Sequence, residues 1–560
     1  MTPDELERLL GDPYDPVNPY GFAAAVARDE QDAFPEELCA KLREAGFHLN
    51  YLPREWGGRF ESFDRSMLLV RTAARRDLNV MPGTMFGITA ATCLALHGSP
   101  EQRKRAGEIL TEGGAIGFAL SEARHGSDLL ANTARLEPTA EGWELTGEKW
   151  LVGLGHRCEA AYVVAKTGER GPAAYSAVFV DLTTGTGLDR GPLVPAAGMR
   201  GIDFADLGFD RFPVPREALV GREGEALESV MKAQQVVRVM SMAGSLGIAD
   251  TALRQTLDFA ADRRVGRTTV LRSPYPRREL AIASAALLAA DATAPAASRG
   301  IHVVPETFSV WGCAAKHVVA ESTDELLRRC GGVLASRAVL RDGLFQKLQR
   351  DAAVVRVVDT SPLANLRSFA SQLQQTFSFS FRGAGNCATS PDAPAAKKRI
   401  QTIFDLEEPL PPYAPDRLDL NARGYDPVTA ALPLIAPEAL TRLTAAADHP
   451  TAHLITQLVA AVGDLPAELA TADRDTGLID VAERFTWLHA AASCLHLWWA
   501  NENNPFFTTG WLHATLAHLL ARATGTDLRR AGDAQLPALD ITTDLHDHDQ
   551  LFSALPVHLA

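Results

Sequence analysis

The chain has 560 residues, of which 46% are hydrophobic and 22% charged, with a formal net charge of −14. That is the balance of a soluble globular protein of three or four domains at roughly 100–200 residues each, and its acidity argues against general nucleic-acid binding, which needs basic surface. The seven cysteines (Cys39, Cys93, Cys158, Cys313, Cys330, Cys387, Cys494) are scattered and never form a C-x-x-C pair, which excludes a disulfide framework or a Cys-rich zinc module and fits a reducing compartment.

The N-terminus, MTPDELERLLGDPYD, is acidic and has no apolar stretch, so no secretory signal is expected there and a cytoplasmic location is. No run of about 18 uninterrupted apolar residues occurs, so no membrane span is expected either. Residues 1–116 read as an N-terminal helical domain. In FPEELCAKLREAG, Phe34, Leu38, Leu42 and Ala45 recur at helical spacing and Gly46 stands at a left-handed stop. Ser62–Asp77 and Met85–His97 repeat the pattern, and Ser99-Pro100 opens another helix as cap and first residue.

Over 117–223 the period shortens. Runs such as WELTGEKWLV, AAYVVAKT and SAVFVDL, broken by Gly, Thr and Asp, predict a middle β-domain with Thr146-Gly147 as a hairpin turn. Helical periodicity returns over 224–378. One very long helix over 228–264 and three runs at about 276–290, 307–329 and 344–371 predict a four-helix bundle. Residues 379–417, rich in Pro, Ala and Gly, read as a linker, and 418–560 as a C-terminal helical extension.

Four motifs carry chemistry. They are Phe118-Ala119-Leu120-Ser121-Glu122-Ala123-Arg124-His125-Gly126-Ser127-Asp128, then Leu145-Thr146-Gly147-Glu148-Lys149-Trp150-Leu151-Val152-Gly153, then Gly198 to Gly224 with the downstream Asp262-Arg263-Arg264-Val265-Gly266, and last Arg328-Arg329-Cys330-Gly331-Gly332, Arg350-Asp351-Ala352 and Val358-Asp359-Thr360-Ser361. In this order they resemble the acyl-CoA dehydrogenase and acyl-CoA oxidase family, here a divergent member with an extra C-terminal helical domain. The resemblance covers about residues 30–372. It implies an α+β multi-domain fold: N-terminal helices, a middle β-barrel domain and a C-terminal four-helix bundle, with the extension added.

The resemblance further implies bound FAD and α,β-dehydrogenation of an acyl thioester, carried by coenzyme A or an acyl carrier protein. Phe118, Leu120, Ser121, Gly126 and Ser127 would meet the flavin, with Ser127 also near the thioester. Pre-aimed donors there would stabilise charge developing on the reduced ring. Trp150 and Val152 would pack on the ring's outer face, Val152 standing where the family has a Thr near flavin N5. Arg263 would reach the cofactor's pyrophosphate in a neighbouring subunit, and Arg328, Gly331 and Gly332 its adenine half. Ser361 is a further cofactor candidate.

Counted from Arg350, Asp359 falls on the family's catalytic carboxylate. The family's other base position precedes Arg238 and is Val237 here, which cannot serve. Arg238, Val358 and Thr360 would touch substrate. Asp for Glu at the base, Thr360 for Gly and Val358 for an aromatic imply a remodelled pocket and an unusual acyl group. The purely structural alternative for Asp359 is a helix cap for Thr360-Ser361-Pro362.

The arginines 263, 264, 267, 272, 277 and 278 form a basic cluster for an acidic carrier or coenzyme A phosphates. By analogy with larger family members a homodimer is expected, with oxygen or an electron-transfer flavoprotein as acceptor. The alternatives are a flavin monooxygenase or oxidase, for which loss of the N5-facing hydroxyl speaks, and a non-catalytic acyl- or flavin-binding scaffold. No metal site is expected: His489 and His496 read as packed against Trp498 or Trp499, and the string Asp544–Asp549 as a solvated acidic tail. Gly383-Ala384-Gly385 follows no βαβ unit and is no dinucleotide fingerprint. Trp498, Trp499, Phe506, Phe507 and Trp511 read as core of the last domain.

Overall fold

The computed structural model describes residues 1–384 and 393–560; the first residues expected as linker, 379–384, end a helix, and Cys387 with the rest of 385–392 lies outside the described residues. In chain order it begins with α1 (Pro3–Leu10), α2 (Phe22–Glu30), α3 (Glu36–Glu44), α4 (Phe63–Ala74), α5 (Val80–Met85), α6 (Ile88–His97) and α7 (Pro100–Thr111). Eight strands follow: β1 (Ile116–Ala119), β2 (Arg135–Pro138), β3 (Gly142–Gly153), β4 (Ala160–Lys166), β5 (Tyr175–Asp181), β6 (Leu188–Leu193), β7 (Phe204–Pro215) and β8 (Leu219–Val220). Then come α8 (Ala226–Asp262), the small hairpin β9 (Arg264–Val265) and β10 (Thr268–Thr269), α9 (Pro274–Val303), α10 (Phe308–Leu334), α11 (Leu344–Val357) and α12 (Pro362–Ala384). The remainder is α13 (Ala393–Phe404), α14 (Pro427–Ala430), α15 (Leu432–Ala445), α16 (His449–Thr471), α17 (Gly477–Ala500), α18 (Thr509–Thr524) and α19 (Leu536–Asp547).

The chain forms two compact units, the first made of residues 1–2, 10–66 and 76–237, the second of 3–9, 67–75 and 238–560. In the first, the β-barrel expected from the resemblance is an eight-stranded sheet paired along β6–β7–β3–β2–β4–β5–β8, with β1 added in parallel beside β4. Its core gathers β-branched and aromatic side chains, among them Val163, Val178, Phe209 and Phe212, and Phe34 and Phe86 pack against it. Gly153 is needed where Phe86 crosses, because a Cβ there would stand 1.6 Å from the ring. Thr146-Gly147 is not a hairpin turn: both lie inside β3, at a register shift between Leu145 and Gly147. An extra residue in one strand is a bulge, which a turn-composition reading mistakes for a reversal. Ser99 and Gln102 form a reciprocal capping box at α7.

In the second unit α9 is buried from Glu279 to His302. Its small residues let neighbours close in; a Cβ on Gly300 would meet the Trp311 ring of α10 at 2.5 Å. Gly247 of α8 does the same for α4, with Ala74 Cβ 3.0 Å from the site of its missing side chain. By length and hydropathy alone three stretches could cross a membrane, contrary to the expectation from uninterrupted runs. Two of them, α8 and α9, have their apolar windows 94% and 100% buried in the protein, so their apolarity serves internal packing.

Three further expectations change. Helix α13 lies within the stretch expected as linker: its Ile400, Ile403 and Phe404 are buried, and Arg299 of α9 donates to the carbonyls of Ile403, Thr402, Asp405 and Glu408 at 2.7–2.9 Å. A guanidinium at a helix C-terminus satisfies carbonyls that the helix itself cannot. The string from Asp544 has its acidic side chains Asp544, Asp547 and Asp549 exposed, as expected, but it begins inside a helix and not in a tail: α19 runs to Asp547 with Leu539, Thr542 and Leu545 buried. His489 and His496 pack on Trp311 and Phe404, at ring separations of 5.6 and 5.1 Å, rather than on Trp498 or Trp499. Both are core residues, and no cluster able to hold a metal occurs among the described residues.

A buried ionic network ties this unit together. Arg75 pairs with Glu7 and Asp250 at 2.9 and 2.7 Å, and Arg71 with Asp291. The C-terminal tail closes over it: Asp250 accepts from the Phe552 amide at 3.0 Å and Arg71 donates to the Phe552 carbonyl at 3.0 Å. Arg254 donates to the Gln550 carbonyl. Burying such charges is tolerable only because each is paired and hydrogen-bonded.

Candidate active site

In the first unit the loop after β1 is built on one buried carboxylate. Glu122 accepts hydrogen bonds from the amides of Thr133 and Ala134 at 2.8 and 2.9 Å, and from Lys149 Nζ at 3.1 Å. Burial would raise the Glu122 pKa, but the Ala134 amide and Lys149 outweigh it and hold the carboxyl below the usual range. Lys149, fully buried, also donates to the Leu120 carbonyl, as does Asn132. The loop is therefore anchored at its root while its tip stays open: Ser127 is exposed, and Gly126, at φ +52°, has nothing near its missing side chain.

Strand β3 meets this loop. The Trp150 amide donates to the Ser121 carbonyl at 2.9 Å, and the indole is 39% exposed. Leu120 is buried, and Phe118 is stacked on Tyr162 at 5.8 Å. Val152 departs from expectation. Residues two apart on a regular strand share a face, but β3 bulges between Lys149 and Val152, with Leu151 at φ +52°. Val152 consequently turns into the sheet core at 1% exposure, away from the face that Trp150 presents.

In the second unit Asp359 sits between α11 and α12. Pro362 cannot continue α11, and Ser361 caps α12 by accepting from the Ala364 amide at 3.4 Å. The cap is thus Ser361, and not Asp359. Asp359 takes φ +71°, a left-handed conformation that costs a non-glycine residue about 1 kcal/mol or more. Its side chain is 3% exposed, and Oδ2 lies 3.4 Å from Arg238 Nε and 3.7 Å from Lys316 Nζ. Arg238 also donates to Thr360 Oγ1 at 3.4 Å, and Lys316 donates to the Val358 carbonyl. Arg238, expected on substrate, is buried and engaged with this turn. Val358 and Leu363 beside it are 38% and 58% exposed. Motif reading does not single out Lys316; the signal for it is a lysine among Cys313, Ala314, Ala315, Val318 and Val319 on a buried helix.

A cavity of about 520 Å³ opens at the far end of α8 in the same unit, lined among others by Phe259, Arg263, Leu334, Arg337, Leu340 and Phe345. Arg337 stacks over Phe259 at 4.8 Å. Gly331, on the last turns of α10, has Phe345 of this lining 3.5 Å from its missing Cβ; Gly332 has open space there. Arg328 is half-exposed and paired with Glu325 at 2.6 Å. The lining holds two guanidiniums, Arg263 and Arg337, beside two carboxylates, Asp258 and Asp262, and the guanidiniums are the groups in it that suit a dinucleotide's phosphates.

Comparison with known proteins places the whole arrangement. Family models described as the acyl-CoA dehydrogenase N-terminal, middle and C-terminal domains match residues 21–113, 117–212 and 225–359. A probable acyl-CoA dehydrogenase, FadE25 of Mycobacterium tuberculosis (strain H37Rv), is 25% identical over 343 residues, 60% of this chain and 86% of the relative. The glutaryl-coenzyme A dehydrogenase–glutaryl-CoA complex superposes with a TM-score of 0.60 at 21% identity, over 65% of this chain and 94% of the other. An acyl-CoA dehydrogenase complexed with FAD from Bacillus anthracis superposes with a TM-score of 0.69 at 17% identity, covering 97% of this chain and 94% of that one, the C-terminal extension included. The chain belongs to the acyl-CoA dehydrogenase family, FAD-dependent oxidoreductases that act on CH–CH bonds.

Proposed function

We propose that this protein dehydrogenates an acyl thioester between its α and β carbons, with Asp359 as the base that takes the α-proton. One observation carries the reading: a carboxylate shielded from water, with two cations within 3.7 Å, at the last residue of the matched C-terminal family domain. A base of this kind must be held still and dry to take a proton from carbon. FAD supplies the acceptor for the hydride that leaves the β-carbon.

The residues suited to the ring are Leu120, Ser121 and Trp150 in the first unit, with the open Gly126–Ser127 tip beside them. Those suited to the dinucleotide's other half are Arg263, Gly331 and Gly332 in the second, and we take the pyrophosphate that Arg263 serves to be that of a second copy in a homodimer. Ser361 is committed to capping α12 and Val152 to the sheet core, so we drop both from the cofactor's shell. Val358, exposed at the turn, replaces a bulkier wall and widens the choice of acyl group. Coenzyme A is the carrier we favour, with an electron-transfer flavoprotein as oxidant and a cytoplasmic setting. The oxygen-chemistry alternative rests on Val152 lacking a hydroxyl beside the flavin and on the family's Tyr-Glu-Gly-Thr being replaced by Val358-Asp359-Thr360-Ser361; the first ground lapses once the Val152 side chain is internal.

The test is anaerobic mixing of the FAD-loaded protein with a panel of saturated acyl-CoA thioesters. At least one should bleach the flavin absorbance and yield the α,β-unsaturated thioester. Oxygenated product from externally reduced flavin, with no bleaching by any thioester, would point to the monooxygenase instead. A colourless protein that takes up no FAD would leave only the scaffold. Light scattering of the pure protein should give twice the chain mass.

A further inference from the structure

Lys316 stands in the middle of α10, its side chain 5% exposed. A buried ammonium costs several kcal/mol unless it is paired. Its two partners are the carbonyl of Val358, just before one left-handed residue, and the carboxylate of that residue, Asp359. No other side chain among the described residues binds both. Arg238 of α8 takes the carboxylate from another direction and holds Thr360. The turn is short, its upstream neighbours Val357 and Val358 are exposed, and aspartate enters the left-handed region more readily than most residues, while the β-branched Thr360 after it is stiff. Contacts from α8 and α10 add to that local preference and fix the turn.

Resting on the dehydrogenase reading above, we propose that Lys316 is a positioning residue of the reaction: its ammonium clamps the Val358 carbonyl and the Asp359 carboxylate and so fixes the turn that aims the base. Other groups facing this turn are few. From α8 there is Arg238; from α10, Cys313 besides Lys316; from α12, the uncharged Asn365 and Ser368, bonded to the Cys313 carbonyl and thiol. Arg356 of α11 is neutralised by Glu321 at 2.6 Å. The ammonium itself is pushed below the ordinary lysine range by burial, with Asp359 opposing and Arg238 adding to the effect. The clamp should thus loosen on the alkaline side, as Lys316 loses its proton.

The experiment compares the FAD-loaded wild type with Lys316→Met and Lys316→Arg, by anaerobic stopped-flow bleaching with an acyl-CoA thioester that bleaches the wild type. In Lys316→Met the limiting rate should fall about a hundredfold, the penalty of a misplaced reacting group. The half-saturating thioester concentration should stay within about twofold, because the loss lies in the chemical step. Lys316→Arg should recover most of the rate and lose the alkaline fall, since a guanidinium keeps its proton. A wild-type limiting rate in Lys316→Met, a defect confined to half-saturation, or an alkaline limb in Lys316→Arg identical to the wild type's each overturns the proposal. The last holds even if Lys316→Met loses FAD or fails to fold. Wild type that no thioester bleaches overturns the dehydrogenase reading, and this assignment with it; bleaching wild type with silent variants overturns this assignment alone.

Discussion

Two buried lysines organise the chemistry-bearing segments, and each does so by binding a backbone carbonyl and a carboxylate at once. Lys149 joins the Leu120 carbonyl to Glu122, and Lys316 joins the Val358 carbonyl to Asp359. Removing the charge at position 149 leaves Glu122 buried with the Thr133 and Ala134 amides and the Thr133 hydroxyl as its hydrogen-bond donors. Lys149→Met should therefore destabilise the protein by about 3 kcal/mol, the usual result of breaking one side of a buried pair. Because Ser121 and Trp150 are bonded across this anchor, the variant should also release FAD more readily. Thermal melts and FAD release on dilution check both; an unchanged melt would show that the pair bears no weight.

At the scale of elements, the limits of pattern reading are physical. Periodicity registers which face of a strand is buried only while the strand stays regular. In β3 two register shifts intervene, which is why Thr146-Gly147 reads as a turn and Val152 as a companion of Trp150. Composition likewise marks 393–404 as linker, yet APAAKKRIQTIF supplies a buried Ile400, Ile403 and Phe404, and a distant arginine completes its C-terminus. What was legible rests on local signals: the Ser99 cap, the left-handed Gly46, the length of α8 and the ordered motifs leading to residue 359. Contacts between residues hundreds apart were not legible. The tail is the clearest case, since Phe552 serves Asp250 and Arg71. Deleting residues 549–560 strips that network of backbone partners. It should cost about 3–5 kcal/mol, by analogy with breaking a buried ion pair, and lower the melting temperature by several degrees. A truncated chain melting with the full-length protein would assign the tail no structural part.

For the molecule as a whole, the second unit carries histidines that folding keeps neutral. Burial pushes His317 and His496 down to about 4 and His518 to about 3, from an ordinary value of 6.5. Below pH 6.5 the unfolded chain binds protons that the folded chain refuses, so stability is complete above that value and falls as the pH drops toward 4. At pH 5 each histidine withdraws roughly 2 kcal/mol. Urea midpoints should accordingly be lower at pH 5 than at pH 7, and equal midpoints would mean that these sites are protonated without unfolding.

The proposed dehydrogenation turns on one carboxylate, and one comparison tests it most directly. Wild type and Asp359→Asn, both loaded with FAD, are mixed anaerobically with the thioester that bleaches the wild type fastest. Asparagine keeps the shape of the turn but cannot take a proton, so the variant should retain the flavin spectrum while its bleaching rate falls by about a thousandfold or more, within the span that positioned bases contribute. Bleaching at the wild-type rate in Asp359→Asn would contradict the assignment and send the search for the base elsewhere in the protein.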